Sequence, residues 1–141
     1  MNVATILKHK GRNVVTTTTD KSLLDIAKLL QQHGIGCIVI VGDDDKIAGI
    51  VSERDLIRAI GQAGLEVLEA PVSNFMTKTV ITAREADTVD QLMTEMTTRR
   101  FRHMPVVEKD RLIGLVSIGD LVKIQISEIE MEAAATREYT A

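Results

Sequence analysis

The stretch Gly49-Ile-Val-Ser-Glu-Arg-Asp-Leu56 returns later in the chain as Gly114-Leu-Val-Ser-Ile-Gly-Asp-Leu121, 65 residues further on. Both stretches place Ser-x-x-Asp directly after a short apolar run. The preceding stretch 35–41 also returns, as 101–107, with a shift of 66 residues. The lost residue falls in the turn between the two stretches, where insertions and deletions are tolerated. The sequence therefore contains an internal duplication.

The beginning of each copy matches as well. Val14-Val-Thr16 returns as Val80-Ile-Thr82. The apolar residues ahead of these stretches share one spacing: Val3, Ile6 and Leu7 in the first copy, and Val72, Phe75 and Met76 in the second. We place the first copy at residues 1–63, the second at 64–126 and a helical C-terminal tail at 127–141. Residues 61–70 are predicted to link the copies.

Each copy is predicted to fold as strand, helix, strand, strand, helix. Apolar residues recur at helical spacing from about Ser22 and again from Val89. The later strands are predicted at 37–41 and 47–51 in the first copy, and at 104–107 and 112–116 in the second. Apolar strands flanked by helices indicate an α/β (α+β) fold. Neither copy buries much surface alone, so we expect the two to pack together.

Composition narrows the classes of protein. Hydrophobic residues make up 45% of the 141, enough for a sizeable core, yet no apolar run is long enough to span a membrane. We expect a soluble, cytoplasmic protein. The net charge of −3 argues against nucleic-acid binding through the overall field, and the basic stretch 99–103 has one aromatic residue, too few for a stacking platform. Cys37, the one cysteine, is expected to be a buried, inert thiol.

The Ser-x-x-Asp motif allows two interpretations. As a cap, the serine side chain satisfies free amides at the start of a helix, and the acid three residues on favours its positive end. As a nucleotide site, the same helix end and serine receive a phosphate, while the acid accepts from both ribose hydroxyls. One motif alone favours the cap. Two motifs in register add weight to the nucleotide site.

The duplicated pattern resembles the tandem CBS domain family. It comprises an apolar strand, a turn and Gly-h-h-Ser-x-x-Asp-h, where h is hydrophobic, with His103-Met-Pro-Val-Val107 before the second motif. The resemblance covers residues 1 to about 126. It implies two β-α-β-β-α repeats packed as a pseudo-twofold pair, with two clefts between their sheets. It also implies a regulatory module that binds an adenine nucleotide, dimerises and catalyses nothing itself.

In that family, each motif is completed by the first two strands of the opposite copy. Carried over, this implies a first cleft where Ser52, Arg54 and Asp55 face residues of the second copy: Thr77, Lys78, Thr79, Ile81, Phe101, Arg102 and His103. Arg102 and His103 match a basic pair that contacts phosphates in the family. His103 on its own is equally consistent with a capped or solvent-facing histidine.

The second cleft would be built around Ser117, Gly119 and Asp120. Facing them in the first copy would be Lys10, Arg12, Val15, Ile35, Gly36 and Cys37. This copy departs from the family pattern, because Gly36-Cys37 stands where the second copy has Arg102-His103. We therefore expect the loop from Lys8 to Arg12 to supply phosphate charge there, or the ligand to be less charged.

The resemblance also ranks ligands and partners. AMP (or ADP or ATP) and NAD(H) come first, S-adenosylmethionine comes below them, and no metal is required. We expect a homodimer, because the tail and the helix faces offer more apolar surface than one small core hides. The regulated protein is unknown. The alternatives are an interaction module with empty clefts, or a regulatory subunit of a separate enzyme or transporter. A standalone enzyme is disfavoured because the sequence shows no nucleophile–base pair.

Overall fold

The computed structural model describes the backbone of residues 1–140 and the side chains of residues 1–137. The first copy contains, in order, helix α1 (Val3–Lys10), strand β1 (Thr16–Thr18), helix α2 (Leu23–His33), strands β2 (Cys37–Val41) and β3 (Ile47–Ser52), and helix α3 (Glu53–Ala63). The second contains helix α4 (Val89–Arg99), strands β4 (His103–Glu108) and β5 (Arg111–Ser117), and helix α5 (Ile118–Thr140). Short 3₁₀ turns lie at Asp43–Asp45, Leu65–Glu69 and Val72–Asn74.

Each copy has its own small sheet. In the first, β2 pairs antiparallel with β3 and parallel with β1, and in the second β4 pairs antiparallel with β5. These hairpins confirm the later strands predicted from sequence. The mixed helix-and-sheet architecture confirms the predicted fold class. The predicted tail is helical through Thr140, and Ala141 lies outside the described residues.

The second copy lacks the first strand that the strand, helix, strand, strand, helix order predicts. Only Ala83 pairs with the second sheet: its amide donates to the Pro105 carbonyl at 2.8 Å, and its carbonyl accepts from Val107 at 2.9 Å. A longer parallel ladder would need residue 105 to donate back towards Ile81. Proline has no N–H, so the ladder stops after one residue.

Two buried apolar clusters lie one behind each sheet, and each contains a segment from the other copy. The cluster behind β4 and β5 includes Val3, Ile6 and Leu7 of α1. The cluster behind β2 and β3 includes Val67 and Val72. The division between residues 63 and 64 remains a prediction about the duplication, but the cores cross it in both directions. The predicted linker 61–70 contributes the buried Val67 to the first core.

The crossed segments are held by matching backbone hydrogen bonds. The amide of Val3 donates to the Asp87 carbonyl at 2.9 Å, and the amide of Val72 donates to the Lys21 carbonyl at 2.7 Å. Asn2 bridges to Thr88 and Pro71 bridges to Ser22, and these two partners are the N-cap residues of α4 and α2. The first copy therefore starts by packing beside the start of α4, and the second by packing beside the start of α2.

Two strand glycines make this crossing sterically possible. A Cβ at Gly114 would lie 2.6 Å from the Leu7 side chain. A Cβ at Gly49 would lie 2.6 Å from Met76 Sδ and 2.9 Å from the Thr77 carbonyl oxygen. Leu7 and Met76 hold equivalent positions in the duplication, as do the two glycines. The first residue of the Gly-h-h-Ser-x-x-Asp pattern is thus required by packing.

We predict that Gly49→Ala lowers the free energy of unfolding by about 1–3 kcal/mol, because the new methyl group overlaps a backbone carbonyl that cannot rotate away. Gly61→Ala in α3 is the control. No atom lies within 4 Å of its added Cβ, so it should raise stability by about 0.5–1 kcal/mol through helix propensity. Urea denaturation of both variants measures the difference. Equal stability of Gly49→Ala and the wild type would contradict the crossed packing.

Candidate functional site

The first Ser-x-x-Asp motif starts α3 directly after β3. Asp55 Oδ2 accepts hydrogen bonds from the Ser52 amide at 2.8 Å and from Ser52 Oγ at 3.1 Å. Asp55 Oδ1 faces Arg58, whose Nη1 lies 3.6 Å away. The capping interpretation is therefore present in the structure, but it uses one carboxylate oxygen. Among the described residues, the other oxygen has only this long contact, to an arginine whose side chain is mostly exposed.

The second motif has the same backbone geometry but a different partner. Asp120 Oδ2 accepts from the Ser117 amide at 2.8 Å and from Lys10 Nζ at 2.6 Å. The Lys10 ammonium also donates to the Leu115 carbonyl at 2.7 Å. Burial raises the pKa of Asp120, but the hydrogen bond from Lys10 and the Ser117 amide outweigh it and the pKa is lowered. This acid is already paired with a cation of its own chain.

A cavity of about 250 Å³ lies between the first motif and the second copy, and we call it the first cleft. Its inner wall is partly apolar, with Cys37, Ile50, Ile81 and Phe101 at least half-buried. Its mouth carries exposed arginines. The lining residues are Gly36, Cys37, Ile50, Ser52, Glu53, Arg54, Asp55, Arg58, Thr77, Thr79, Val80, Ile81, Arg100, Phe101, Arg102 and His103.

The structure gathers most residues predicted for the first cleft. All of them line the cavity except Lys78. Gly36 and Cys37, predicted for the second cleft, line the first instead. They reach it because the Glu53 amide donates to the Gly36 carbonyl at 2.9 Å, which places the start of β2 beside the start of α3.

The remaining residues predicted for the second cleft have other surroundings. Lys10 is bonded to Asp120, and Arg12 forms an ion pair with Glu85. Val15 and Ile35 pack against the first core. Gly119 lies in the first turn of α5, where an added Cβ would lie 3.6 Å from Ser117 Oγ. Two cations of the loop expected to supply phosphate charge here, Lys10 and Arg12, are therefore used in internal ion pairs.

Sequence reasoning missed five lining residues: Ile50, Glu53, Arg58, Val80 and Arg100. Glu53 and Arg58 could have been found from helical spacing, since they lie one residue after the motif serine and one turn beyond its acid. Arg100 carried a clearer signal. It aligns with Gly34, and an arginine at the position where the other copy ends a helix with glycine is out of place.

Positive charge dominates the mouth of the first cleft, where four arginines face two carboxylates. Arg58 is paired with Asp55. Arg54, Arg100 and Arg102 have no ion pair or side-chain hydrogen bond to any residue that the structure describes. In the duplication these three positions correspond to Gly119, Gly34 and Gly36. The two copies therefore present opposite sites, one rich in free guanidinium groups and one without them.

Two side chains that line the first cleft, Cys37 and His103, have shifted pKa values. Burial, with the Asp55 carboxylate, raises the pKa of the Cys37 thiol to about 12, so the thiol stays protonated and inert at neutral pH. Burial and the nearby Lys10 ammonium lower the pKa of His103, although Asp120 and Glu53 oppose them. His103 is therefore neutral at pH 7 and can both donate and accept a hydrogen bond.

The sequence model of the CBS domain matches residues 7–62 and 72–127. The chain belongs to the CBS domain family. The mitochondrial CBS domain-containing protein CBSX3 of Arabidopsis thaliana is 33% identical over 97% of this chain and 70% of its own length. The CBS-domain protein ATU1752 of Agrobacterium tumefaciens has a TM-score of 0.86 at 44% identity, over 88% of this chain and 92% of that one.

Two further CBS structures contain ligands. The CBS domain pair of protein MJ0100, in complex with 5′-methylthioadenosine and S-adenosylmethionine, has a TM-score of 0.81 at 27% identity, over 91% of this chain and 98% of that one. The protein PAE2072 of Pyrobaculum aerophilum, complexed with AMP, has a TM-score of 0.76 at 27% identity, over 85% of this chain and 89% of that one. These two CBS proteins thus bind ligands that contain an adenosyl group.

The described residues hold no group of three or more His, Cys, Asp or Glu side chains that could bind a metal ion. Within the same residues, no helix is both long and apolar enough to cross a membrane.

Proposed function

We propose that this CBS pair is a regulatory module that binds one adenine nucleotide per chain, in the first cleft. The observation that carries the proposal is the first cleft itself: a partly apolar wall, the Asp55 carboxylate and three arginines without a partner among the described residues line one cavity. These three kinds of surface suit a base, a ribose and a phosphate. The AMP complex of PAE2072 and the adenosyl complexes of MJ0100 support the ligand class.

Charge favours AMP within that class. A phosphate monoester carries about two negative charges at pH 7 and accepts bidentate hydrogen bonds from guanidinium groups. S-adenosylmethionine carries a sulfonium cation instead, which the arginines at the mouth would repel. ADP, ATP and NAD(H) keep the required phosphate and would extend past the mouth, because the cavity of about 250 Å³ is near the size of a nucleoside monophosphate.

Each polar group has an assigned role in this proposal. Asp55 accepts hydrogen bonds from the ribose hydroxyls through Oδ1, the carboxylate oxygen that takes no part in the helix cap. Arg102 and Arg54 bind the phosphate, and neutral His103 donates a hydrogen bond to it. In this proposal the second cleft binds no nucleotide, because Lys10 is bonded to Asp120 and glycines stand at the positions of the three arginines.

We also propose that the module has no catalytic activity of its own. Two nucleophilic side chains that line the cavity are engaged or inert: the Cys37 thiol is protonated, and Ser52 Oγ donates to Asp55. The lining Thr77 and Thr79 form no side-chain hydrogen bond to a base among the described residues. An interaction module with empty clefts is the competing function. Unpaired guanidinium groups gathered at one mouth repel each other, so a pure packing surface gains nothing from them. The regulated protein and a cytoplasmic location remain predictions.

We predict that AMP raises the melting temperature by several degrees, since saturation 100-fold above the dissociation constant contributes about 2.7 kcal/mol. 2′-Deoxy-AMP should bind about 10- to 100-fold more weakly, because it lacks a hydroxyl bonded to the Asp55 carboxylate. Asp55→Asn should weaken AMP and largely remove the deoxy penalty. Isothermal titration calorimetry measures all four affinities.

The control for this experiment is Asp120→Ala, whose carboxylate is bound to Lys10. It should leave AMP binding and the deoxy penalty unchanged. An Asp55→Asn variant that still prefers the ribo form would show that the acid only caps α3. No thermal shift with AMP, ADP, ATP or NADH at millimolar concentration would reject the nucleotide function.

Finally, we propose that the module is a homodimer. Ile57 on α3 and Val122 on α5 occupy equivalent positions of the duplication, and both are exposed, by 70% and 40%. Further along α5, Ile126, Ile129 and Met131 are also more than half exposed. Apolar side chains repeated on equivalent helices indicate a self-complementary contact surface.

We predict that multi-angle light scattering at micromolar concentration gives twice the chain mass of 15.5 kDa. Ile57→Glu should shift the protein towards the monomer, because it buries a charge in the contact. Leu24→Glu on α2, exposed by 41%, is the control and should stay dimeric. A wild-type mass of one chain would contradict the dimer.

A further inference from the structure

Arg100 has an unusual backbone conformation for its residue type. It follows the last residue of α4 with φ 60° and ψ 41°, in the left-handed region. Side chains with a Cβ are strained there, and helices that end this way usually do so with glycine. The first copy obeys this rule: Gly34 follows α2 with φ 62° and ψ 39°. Two equivalent helix ends thus share one conformation, and one of them carries an arginine.

The strain has no compensating contact within the described protein. Arg100 forms no ion pair or side-chain hydrogen bond with another described residue. Its neighbour Arg99, by contrast, donates from Nε to Glu95 at 2.7 Å and does not line the first cleft. Arg100 lines the mouth of the first cleft beside Arg102 and Arg54. A strained residue persists where the site needs it.

We propose that Arg100 is a specificity residue of the first cleft, holding a backbone position suited to glycine so that its guanidinium completes a three-arginine clamp on the phosphate of the ligand. The inference rests on the proposed nucleotide function. It deepens that function by adding a residue that distinguishes ligands by the negative charge of their phosphate groups. Arg54 and Arg102 approach from α3 and from the start of β4. Arg100 adds a third direction, which a phosphate with several free oxygens can satisfy.

The clamp accounts for the difference between the copies. Around the second motif, the three equivalent positions are Gly119 of the second copy and Gly34 and Gly36 of the first, and there the acid is neutralised by Lys10. All three guanidinium groups are present at one cleft and all three are absent at the other. If Arg100 served only to end α4, glycine would serve better, as it does at the end of α2.

The experiment compares Arg100→Gly with two matched variants by thermal unfolding and by calorimetry. Arg100→Gly removes both strain and charge, so its melting temperature should rise by roughly 2–5 °C. Gly34→Arg places the same side chain at the equivalent helix end, where no atom lies within 4 Å of the added Cβ, and should lower the melting temperature by a similar amount. Arg99→Ala controls for the loss of one positive charge nearby.

The ligands are adenosine, AMP and inorganic pyrophosphate, which needs no nucleoside pocket. Arg100→Gly should weaken AMP and pyrophosphate about tenfold and leave adenosine unchanged. Arg99→Ala should bind all three as the wild type does. Higher stability and weaker anion binding of Arg100→Gly would together establish that Arg100 is strained and that it binds the phosphate of the ligand.

Each other outcome separates the two proposals. If Arg100→Gly binds AMP and pyrophosphate like the wild type, the specificity role is overturned and the nucleotide function stands. If AMP fails to bind the wild type while pyrophosphate binds it and not Arg100→Gly, the nucleotide function fails and the clamp stands. If neither ligand binds the wild type, both are overturned. If Arg100→Gly is less stable than the wild type, the strain argument is wrong.

Discussion

The contact on which this structure depends is the crossing of each copy's first segment over the sheet of the other copy. Leu7 lies against Gly114, and Met76 with the Thr77 carbonyl lies against Gly49. The amides and carbonyls of Thr77 and Ile50 then pair at 2.9 and 3.0 Å. Because this pairing fixes the chain from Thr77 onwards beside β3, it builds one wall of the first cleft. Folding and site formation therefore share the same glycines.

The duplication supplies two equivalent helix starts, and side chains make them different. Both acids accept from the amide of their own motif serine at 2.8 Å, so backbone geometry does not distinguish the copies. The distinction comes from Lys10, which binds Asp120, and from three arginines that surround Asp55 without partners among the described residues. One copy of the motif has become internal structure, and we propose that the other binds ligand.

The sequence predicted much of the fold because the duplication aligned the two hairpins and the helices on either side of them. Cys37–Val41 was predicted to the residue, and Ser22 and Ser52 were recognised as helix starts. Pro105 explains the one missing strand. This could not be predicted from sequence, because the effect of the proline depends on knowing that Ala83 pairs beside it. The ion pair of Lys10 with Asp120 joins residues 110 positions apart, and no local pattern encodes it. Arg100 could have been found from the alignment of the two copies, because it occupies a position where the first copy has a glycine.

The most direct test of this account counts the nucleotides bound to each chain. Native mass spectrometry of the protein with excess AMP should show one AMP per chain. Asp120→Ala should keep that AMP, and Asp55→Ala should lose it. Two AMP molecules per wild-type chain, or one AMP that Asp120→Ala loses and Asp55→Ala keeps, would contradict the assignment of the first cleft as the binding site.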